Sequence, residues 1–471
     1  MVALKEYDLI VIGSGSAMNL VDPLLQQKPE AKIAVIDKDE PGGICLTRGC
    51  IPSKILLYPA EMVRRIEEAR ALGVIYEFKK IDFPWIMERM RKLIYKDIDS
   101  IRSGLSSSPS IDYYHSIASF VSPYTLGVEG ETIRSKMIFL CTGSKITIPK
   151  IEGIEEVNYL TSDTILKLEK LPESIIIVGG GYIAAEYGHF LSSMGSKVTV
   201  IGRNPRFLPD EEPEVSILAQ KELSKHMKIA TNKEVKKMES GKTKKVIAED
   251  RRTGKKETFE ASEVMIATGR GPTSDILQPE LGGVKTTKEG WIAVNEYLET
   301  SLPNVWALGD ATGHYLFKHV ANYESELVYN NAILKKRVPA DYHAIPHAVF
   351  TFPEIASVAM GEEEATKKFG KENILIGYYK YENTAKGEAM NAKDYFVKVI
   401  LEEKSYKILG AHIIGPEASV LVQEIINVMY TNEGAQVINS AMHIHPALNE
   451  VVQRAFSSLY SVDQYHEMLS H

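Results

Sequence analysis

The sequence predicts an α/β fold: two doubly wound nucleotide-binding (Rossmann-like) units, then a C-terminal α+β domain. Two observations carry this prediction. One design occurs twice, in "YDLIVIGSGSAMNLV" (7–21) and "SIIIVGGGYIAAEYGHF" (174–190), where an apolar strand runs through glycines into a helix-like stretch. From about residue 345 the pattern becomes strands followed by helices, as in "HAVFTFPEIASVAM", "YFVKVILEEKSYKILGAHIIG" and "SVLVQEIINVMY".

The other elements follow the same repeat. Each glycine segment is followed by a second apolar strand, "KIAVIDKD" (32–39) and "KVTVIGRN" (197–204). Each half then carries a later strand that ends in Thr-Gly, "MIFLCTGS" (137–144) and "VMIATGR" (264–270). "SSSPS" (106–110) is a loop. The lysine-rich stretch 232–260 mixes both charge signs around Ser-Gly and Thr-Gly turns, which reads as solvent-facing strands and hairpins rather than a basic binding patch.

Composition narrows the function classes. At 44% hydrophobic and 25% charged over 471 residues, the chain is that of a soluble globular protein of about three domains. A net charge of −7 leaves no electrostatic footprint for nucleic acid or an anionic membrane. The N-terminal "MVALKEYDLIVIGSG" lacks the long apolar core of a signal peptide, and no apolar run approaches a membrane span, so a cytoplasmic location is expected. Three cysteines cannot build a disulfide framework.

A strand that opens through close glycines into a helix lets backbone N–H groups approach a pyrophosphate. In the first copy Gly13 and Gly15 fill the first two positions, and Met18 stands where a third glycine is expected. Asp37, after the second strand, is the expected acceptor for a ribose hydroxyl. In the second copy Gly179, Gly181 and Ala184 fit the pattern, but the acid position holds Gly202, followed by Arg203 and Arg206. Glycine followed by arginine favours the 2′-phosphate of NADP over the 2′-hydroxyl of NAD, although NAD stays open.

"GGICLTRGCIPSK" (42–54) places Cys45 and Cys50 five positions apart. The surrounding glycines argue for an irregular loop, not a regular core pattern. A zinc site needs two more soft ligands, and Cys141 lies far along the chain inside an apolar strand, so no metal site is expected. A redox pair fits best. Pro52 suits a first helical turn, which puts Cys50 near a helix N-terminus, where thiolate is favoured.

This segment resembles the active-site loop of the FAD-dependent pyridine nucleotide–disulfide oxidoreductases. The resemblance runs from about residue 7 to about residue 461, through "GGGYIAAEYG" (179–188), "TSLPNVWALGDATG" (300–313) and "HIHPALNEVVQRAF" (443–456). It implies four segments: an FAD domain with the redox disulfide (1–148), an NAD(P) domain (149–270), a segment completing the FAD domain (271–344) and a dimerisation domain (345–471). It also implies Cys45 as the interchange thiol and Cys50 as the thiolate facing the flavin. His445 and Glu450 would be the base and its orienting carboxylate, reaching the cysteines across a homodimer. His443 has no role by this reading. FAD would be held by Gly13, Gly15, Asp37, Gly43, Lys54, Ala118, Gly143 and Asp310. NAD(P) would meet Gly179, Gly181, Tyr182, Glu186, Arg203, Arg206 and Gly269, with Glu186 paired to Lys54 and Tyr182 covering the nicotinamide pocket.

The implied activity is two-electron exchange between NAD(P)(H), FAD, the cysteine pair and a dithiol or disulfide, of the dihydrolipoamide dehydrogenase type. The alternative is an NADPH-dependent reductase of a small-thiol disulfide, like mycothione or glutathione reductases. A mercuric reductase fits less well, because no cysteine follows Cys141. A non-catalytic flavoprotein sensor is disfavoured, because both cysteines, His445 and Glu450 are present.

Overall fold

The structure, a computed structural model, describes residues 4–431 and 433–470. In the first unit β1 (Leu9–Ile12) leads through the glycine turn to α1 (Met18–Gln27) and β2 (Ile33–Ile36). A short helix α2 (Gly43–Arg48) and the long α3 (Cys50–Ala69) follow. Then come α4 (Phe83–Ser107), β3 (Ile111–Tyr114) and β4 (Ile138–Leu140). The start of α4 is capped by Asp82, whose carboxylate accepts from the Trp85 N–H at 3.2 Å.

The second unit repeats the design with β5 (Ser174–Val178), α5 (Tyr182–Met194), β6 (Lys197–Ile201), α6 (Pro213–Leu223), β7 (Lys228–Ala230) and β8 (Glu263–Ile266). The chain then returns to the first sheet through β9 (Val305–Ala307) and enters α7 (Lys318–Val328). The first sheet has the order β9-β4-β1-β2-β3. The second runs Leu160–Thr161, then β8-β5-β6-β7. Both are wholly parallel, and β1, β2 and β5 consist almost entirely of buried aliphatic residues because helices or other strands cover both sheet faces. The lysine-rich stretch forms a separate antiparallel three-stranded sheet, 233–261, with charged residues facing out.

Beyond residue 345 six antiparallel strands form one sheet. It is packed by α8 (Ala418–Met429) and α9 (Glu450–Ser457). This mixed α/β architecture is the predicted class. A polar hub ties the sheet to the second unit. Lys398 is fully buried, with its ammonium 2.6 Å from Glu212, 3.2 Å from Glu214 and 2.7 Å from Glu362. Burial pushes the Lys398 pKa down, but the three carboxylates outweigh it and hold it above the usual value. Among the described residues no helix is long and apolar enough to cross a membrane.

Candidate active site

The two glycine turns are confined in the same way. Gly13 has φ +105°, and a Cβ there would lie 2.1 Å from the carbonyl oxygen of Cys141. Gly179 has φ +141°, and its Cβ would lie 2.1 Å from the carbonyl oxygen of Ala267. Each turn therefore presses against the residue that ends a neighbouring parallel strand, and only glycine combines that φ with that approach. Met18 begins α1 half-buried and packs against the core beneath the sheet.

After the second strand the copies diverge. Asp37 accepts from both the N–H and the hydroxyl of Ser14, at 2.8 and 2.6 Å, and from the Asp39 N–H at 3.0 Å. Gly202 instead lies against the other turn, where an added Cβ would meet the Gly180 Cα at 3.4 Å. Arg203 and Arg206 are exposed beyond it, and the Arg251 guanidinium donates to the Arg203 carbonyl at 3.2 Å.

A cavity of about 760 Å³ runs from Asp37 past the first glycine turn to the cysteines and on to α5. The expected flavin residues Gly13, Gly15, Asp37 and Gly43 line one end of it. Lys54, Ala118, Gly143 and Asp310 line the remainder, together with Cys45, Cys50, Tyr182 and Glu186. Gly179, Gly181, Arg203, Arg206 and Gly269 lie outside this cavity. Its shape and donors fit FAD: the bare backbone at Gly13 and Gly15 suits a pyrophosphate, and Asp37 keeps acceptor capacity for a ribose. Asp310 accepts from Ser144 at 2.5 Å, and Ser144 also receives the Arg270 guanidinium at 2.7 Å. Burial pushes the Asp310 carboxyl up.

Both cysteines are thiols in this structure. Helix α3 starts at Cys50 itself, so Cys50 stands at the helix N-terminus as expected. The backbone N–H groups of Cys50 and Ile51 also favour the Cys45 thiolate. Cys45 is pulled down to about 7, first by the hydrogen bond with Cys50, then by the Lys318 charge and these N–H groups, against burial. Cys50 is pushed up by the same hydrogen bond and by burial. The pair therefore favours one shared proton and one thiolate. Cys141 stands just past β4 rather than inside the strand. It is half-buried at the cavity wall because its carbonyl must meet Gly13.

Across the cavity, Lys54 of α3 bonds both carboxylate oxygens of Glu186 on α5 at 2.9 Å, with its ammonium 4.6 Å from the centre of the Phe350 ring. The Phe350 N–H also donates to Glu186, at 3.1 Å. Tyr182 is the first residue of α5, and burial pushes its hydroxyl up to about 12. His445 Nδ1 lies 3.0 Å from Glu450, and this bond holds the Glu450 carboxyl below its usual value. His445 is exposed and is not among the residues lining the cavity of its own chain. The side chain of His443 is covered, with Nε2 2.7 Å from Glu424 of α8.

Three polar links were not anticipated. Lys318 bonds Ser16, Arg270 bonds Ser144, and the buried Glu324 accepts from the Gly309 N–H and the Tyr342 hydroxyl at 2.5 and 2.6 Å. Lys318 and Glu324 both belong to "FKHVANYES" (317–325), so charge inside an apolar helical pattern was the available signal.

Two parallel glycine-turn units sharing a cavity with a cysteine pair define a nucleotide-dependent disulfide enzyme. The chain matches the pyridine nucleotide-disulphide oxidoreductase model over residues 7–332, and the dimerisation domain of the same family over 345–456. It belongs to that family of flavoprotein disulfide oxidoreductases, whose members use FAD and NAD(P)H. A mycothione reductase of Mycobacterium tuberculosis is 32% identical over 97% of this chain and 100% of the relative. A dihydrolipoyl dehydrogenase of Synechocystis sp. is 31% identical over 96% and 98%. Among solved structures, the copper(II) complex of the HOCl-induced flavoprotein disulfide reductase RclA from Escherichia coli aligns with a TM-score of 0.85 and 25% identity. That alignment covers 96% of this chain and 99% of the other. The dimerisation domain supports a homodimer.

Proposed function

We propose that the protein is an NADPH-dependent reductase of a small soluble disulfide, working through Cys45 and Cys50. The observation that carries the nucleotide choice is the end of β6, where Gly202 packs on the turn, no acid stands to repel a 2′-phosphate, and Arg203 is free to meet one. The full-length similarity to a mycothione reductase supports the substrate class.

FAD, held by Gly13, Gly15, Asp37, Gly43, Ala118, Gly143 and Asp310, supplies two-electron transfer between nicotinamide and the cysteines. Gly179, Gly181, Gly269 and Tyr182 receive the nucleotide, with Arg206 beside Arg203 at its phosphate. The Lys54–Glu186 pair keeps a fixed dipole at the cavity's centre. The Cys45 thiolate attacks one sulfur of the substrate disulfide, forming a mixed disulfide and expelling a thiolate. His445 of the partner subunit, oriented by its Glu450, donates the proton that thiolate needs. Cys50 then attacks the Cys45 sulfur, its proton passing to the departing sulfur, which restores the Cys45–Cys50 disulfide and releases the second thiol. One substrate disulfide is reduced and one cysteine pair oxidised.

Dihydrolipoamide oxidation with NAD is the second reading, favoured by the similarity to a dihydrolipoyl dehydrogenase. Anaerobic titration of the holoenzyme with NADPH and NADH separates the two. Flavin reduction at about tenfold lower NADPH concentration supports the reductase. Preference for NADH, with turnover of dihydrolipoamide, transfers the assignment to the second reading. Undiminished turnover in Cys45→Ser would remove both.

A further inference from the structure

We infer that Lys318 is a cation, without a carboxylate partner of its own, that stabilises the thiolate of the reduced Cys45–Cys50 pair, a role that rests on the redox-pair reading above. The residue opens α7 and lines the same cavity as both cysteines. It is half-buried, yet among the described residues no carboxylate lies within 4.0 Å of its ammonium. Its hydrogen bond goes to the Ser16 hydroxyl, at 2.9 Å. Ser16 in turn donates to Asn322 of the same helix at 2.9 Å, so the ammonium is pinned to the glycine turn by a neutral chain.

A sheltered ammonium with only a hydroxyl for company is poorly solvated, and an anion in the cavity relieves it. Lys54, which acts on Cys50, shares its charge with Glu186 at 2.9 Å, whereas the charge that acts on Cys45 is that of Lys318. The interaction acts both ways. Burial pulls the Lys318 ammonium down, while the Cys45 and Cys50 charges push it back up. The charged and titratable groups lining the cavity with the cysteines include Arg48, paired with Asp39 and Asp163, Lys54, paired with Glu186, Arg270 and Asp310, both held on Ser144, Tyr182 and Tyr187 on α5, and Lys318 on α7. The tyrosines stay neutral near neutral pH, because burial raises both. Of the cations, Lys318 is the one whose charge lowers the Cys45 thiol. Reduction of the disulfide takes two electrons and, with Lys318 present, one proton, which leaves one sulfur as thiolate. Without the ammonium the second sulfur keeps a proton to higher pH than in the parent.

The test is alkylation of the reduced holoenzyme with iodoacetamide across pH, alongside the pH midpoint of its long-wavelength thiolate–flavin band. Lys318→Gln keeps a donor for Ser16 and removes only the charge, Lys318→Met removes both, and Lys318→Arg restores the charge. The expected result is a rise of about one pH unit in both midpoints for Lys318→Gln and Lys318→Met, with Lys318→Arg close to the parent. Unchanged midpoints with the band still present overturn the assignment. So does a variant whose sole defect is weaker FAD retention, because the ammonium then serves the cofactor instead. A parent enzyme that shows no such band when reduced overturns the redox-pair reading and the inference with it.

Discussion

The two nucleotide-binding units share a turn and differ in what stands after the next strand. Gly13 and Gly179 are held by the same close approach to a carbonyl, at 2.1 Å for an added Cβ in each case. After β2, Asp37 is gripped by Ser14. After β6, Gly202 leans on Gly180 and the arginines beyond it are exposed. On the function proposed above, the turn serves a phosphate in either copy and the position after the second strand selects what the ribose carries. A repeated fold can thus serve two cofactors by changing that position and leaving the turn alone.

The comparison breaks most sharply at the turns. Gly13→Ala is expected to abolish FAD binding, and with it the yellow holoenzyme. Gly179→Ala should keep the flavin spectrum and dithionite reduction but lose reduction by NADPH. Visible spectra and anaerobic titration check both, and two variants that behave alike would show the turns are not independent sites. A milder effect is expected one strand on. Arg203→Glu should raise the NADPH concentration needed for half-reduction about tenfold and leave NADH nearly unchanged, since only the phosphate is lost as a partner. An equal effect on both nucleotides would place the arginine away from the ribose.

The smallest effect tests a support specific to the first unit. Burial holds the Glu324 carboxyl up at about 7, while it bonds the Gly309 N–H beside Asp310. The native protein therefore binds this proton more tightly than the unfolded chain does, and stability falls as pH rises from the unfolded value towards and through about 7. Glu324→Gln resembles the protonated carboxyl and keeps both hydrogen bonds. It should remove that loss and be more stable by about 1–3 kcal/mol at about pH 8, as read by thermal melts at several pH values. Identical pH dependence in variant and parent would mean that another group governs this window.

Much of this was legible in the sequence because it is local or periodic. The strand–glycine–helix repeat, the Thr-Gly strand ends and the hairpins of 232–260 all follow from short-range patterns. So does a helix beginning next to Pro52, which the structure starts at Cys50. What escaped is contact between segments far apart in the chain. The Lys318–Ser16 bond spans 302 positions and Ser144–Asp310 spans 166. Both exist because β9 returns beside β4 and brings α7 over the first glycine turn. Side-chain direction was the other hidden quantity. The sequence placed Cys50 at a helix N-terminus, as the structure does, but did not reveal that the N–H groups of that first turn also favour the thiolate of Cys45 on α2. Cys141 read as core because its neighbours are apolar, and it does pack against the core of the first unit, just past β4, while also lining the cavity.

The hub around Lys398 has a consequence for how this sequence can change. One ammonium answers three carboxylates that come from the second unit and from the C-terminal sheet domain. Glu212 also accepts from the Glu362 N–H at 3.0 Å. Replacing the lysine alone strands the acids, a loss of about 3–5 kcal/mol, whereas exchanging the whole group for apolar residues of similar volume is often neutral. Positions 212, 214, 362 and 398 are therefore free to drift together and nearly frozen one at a time.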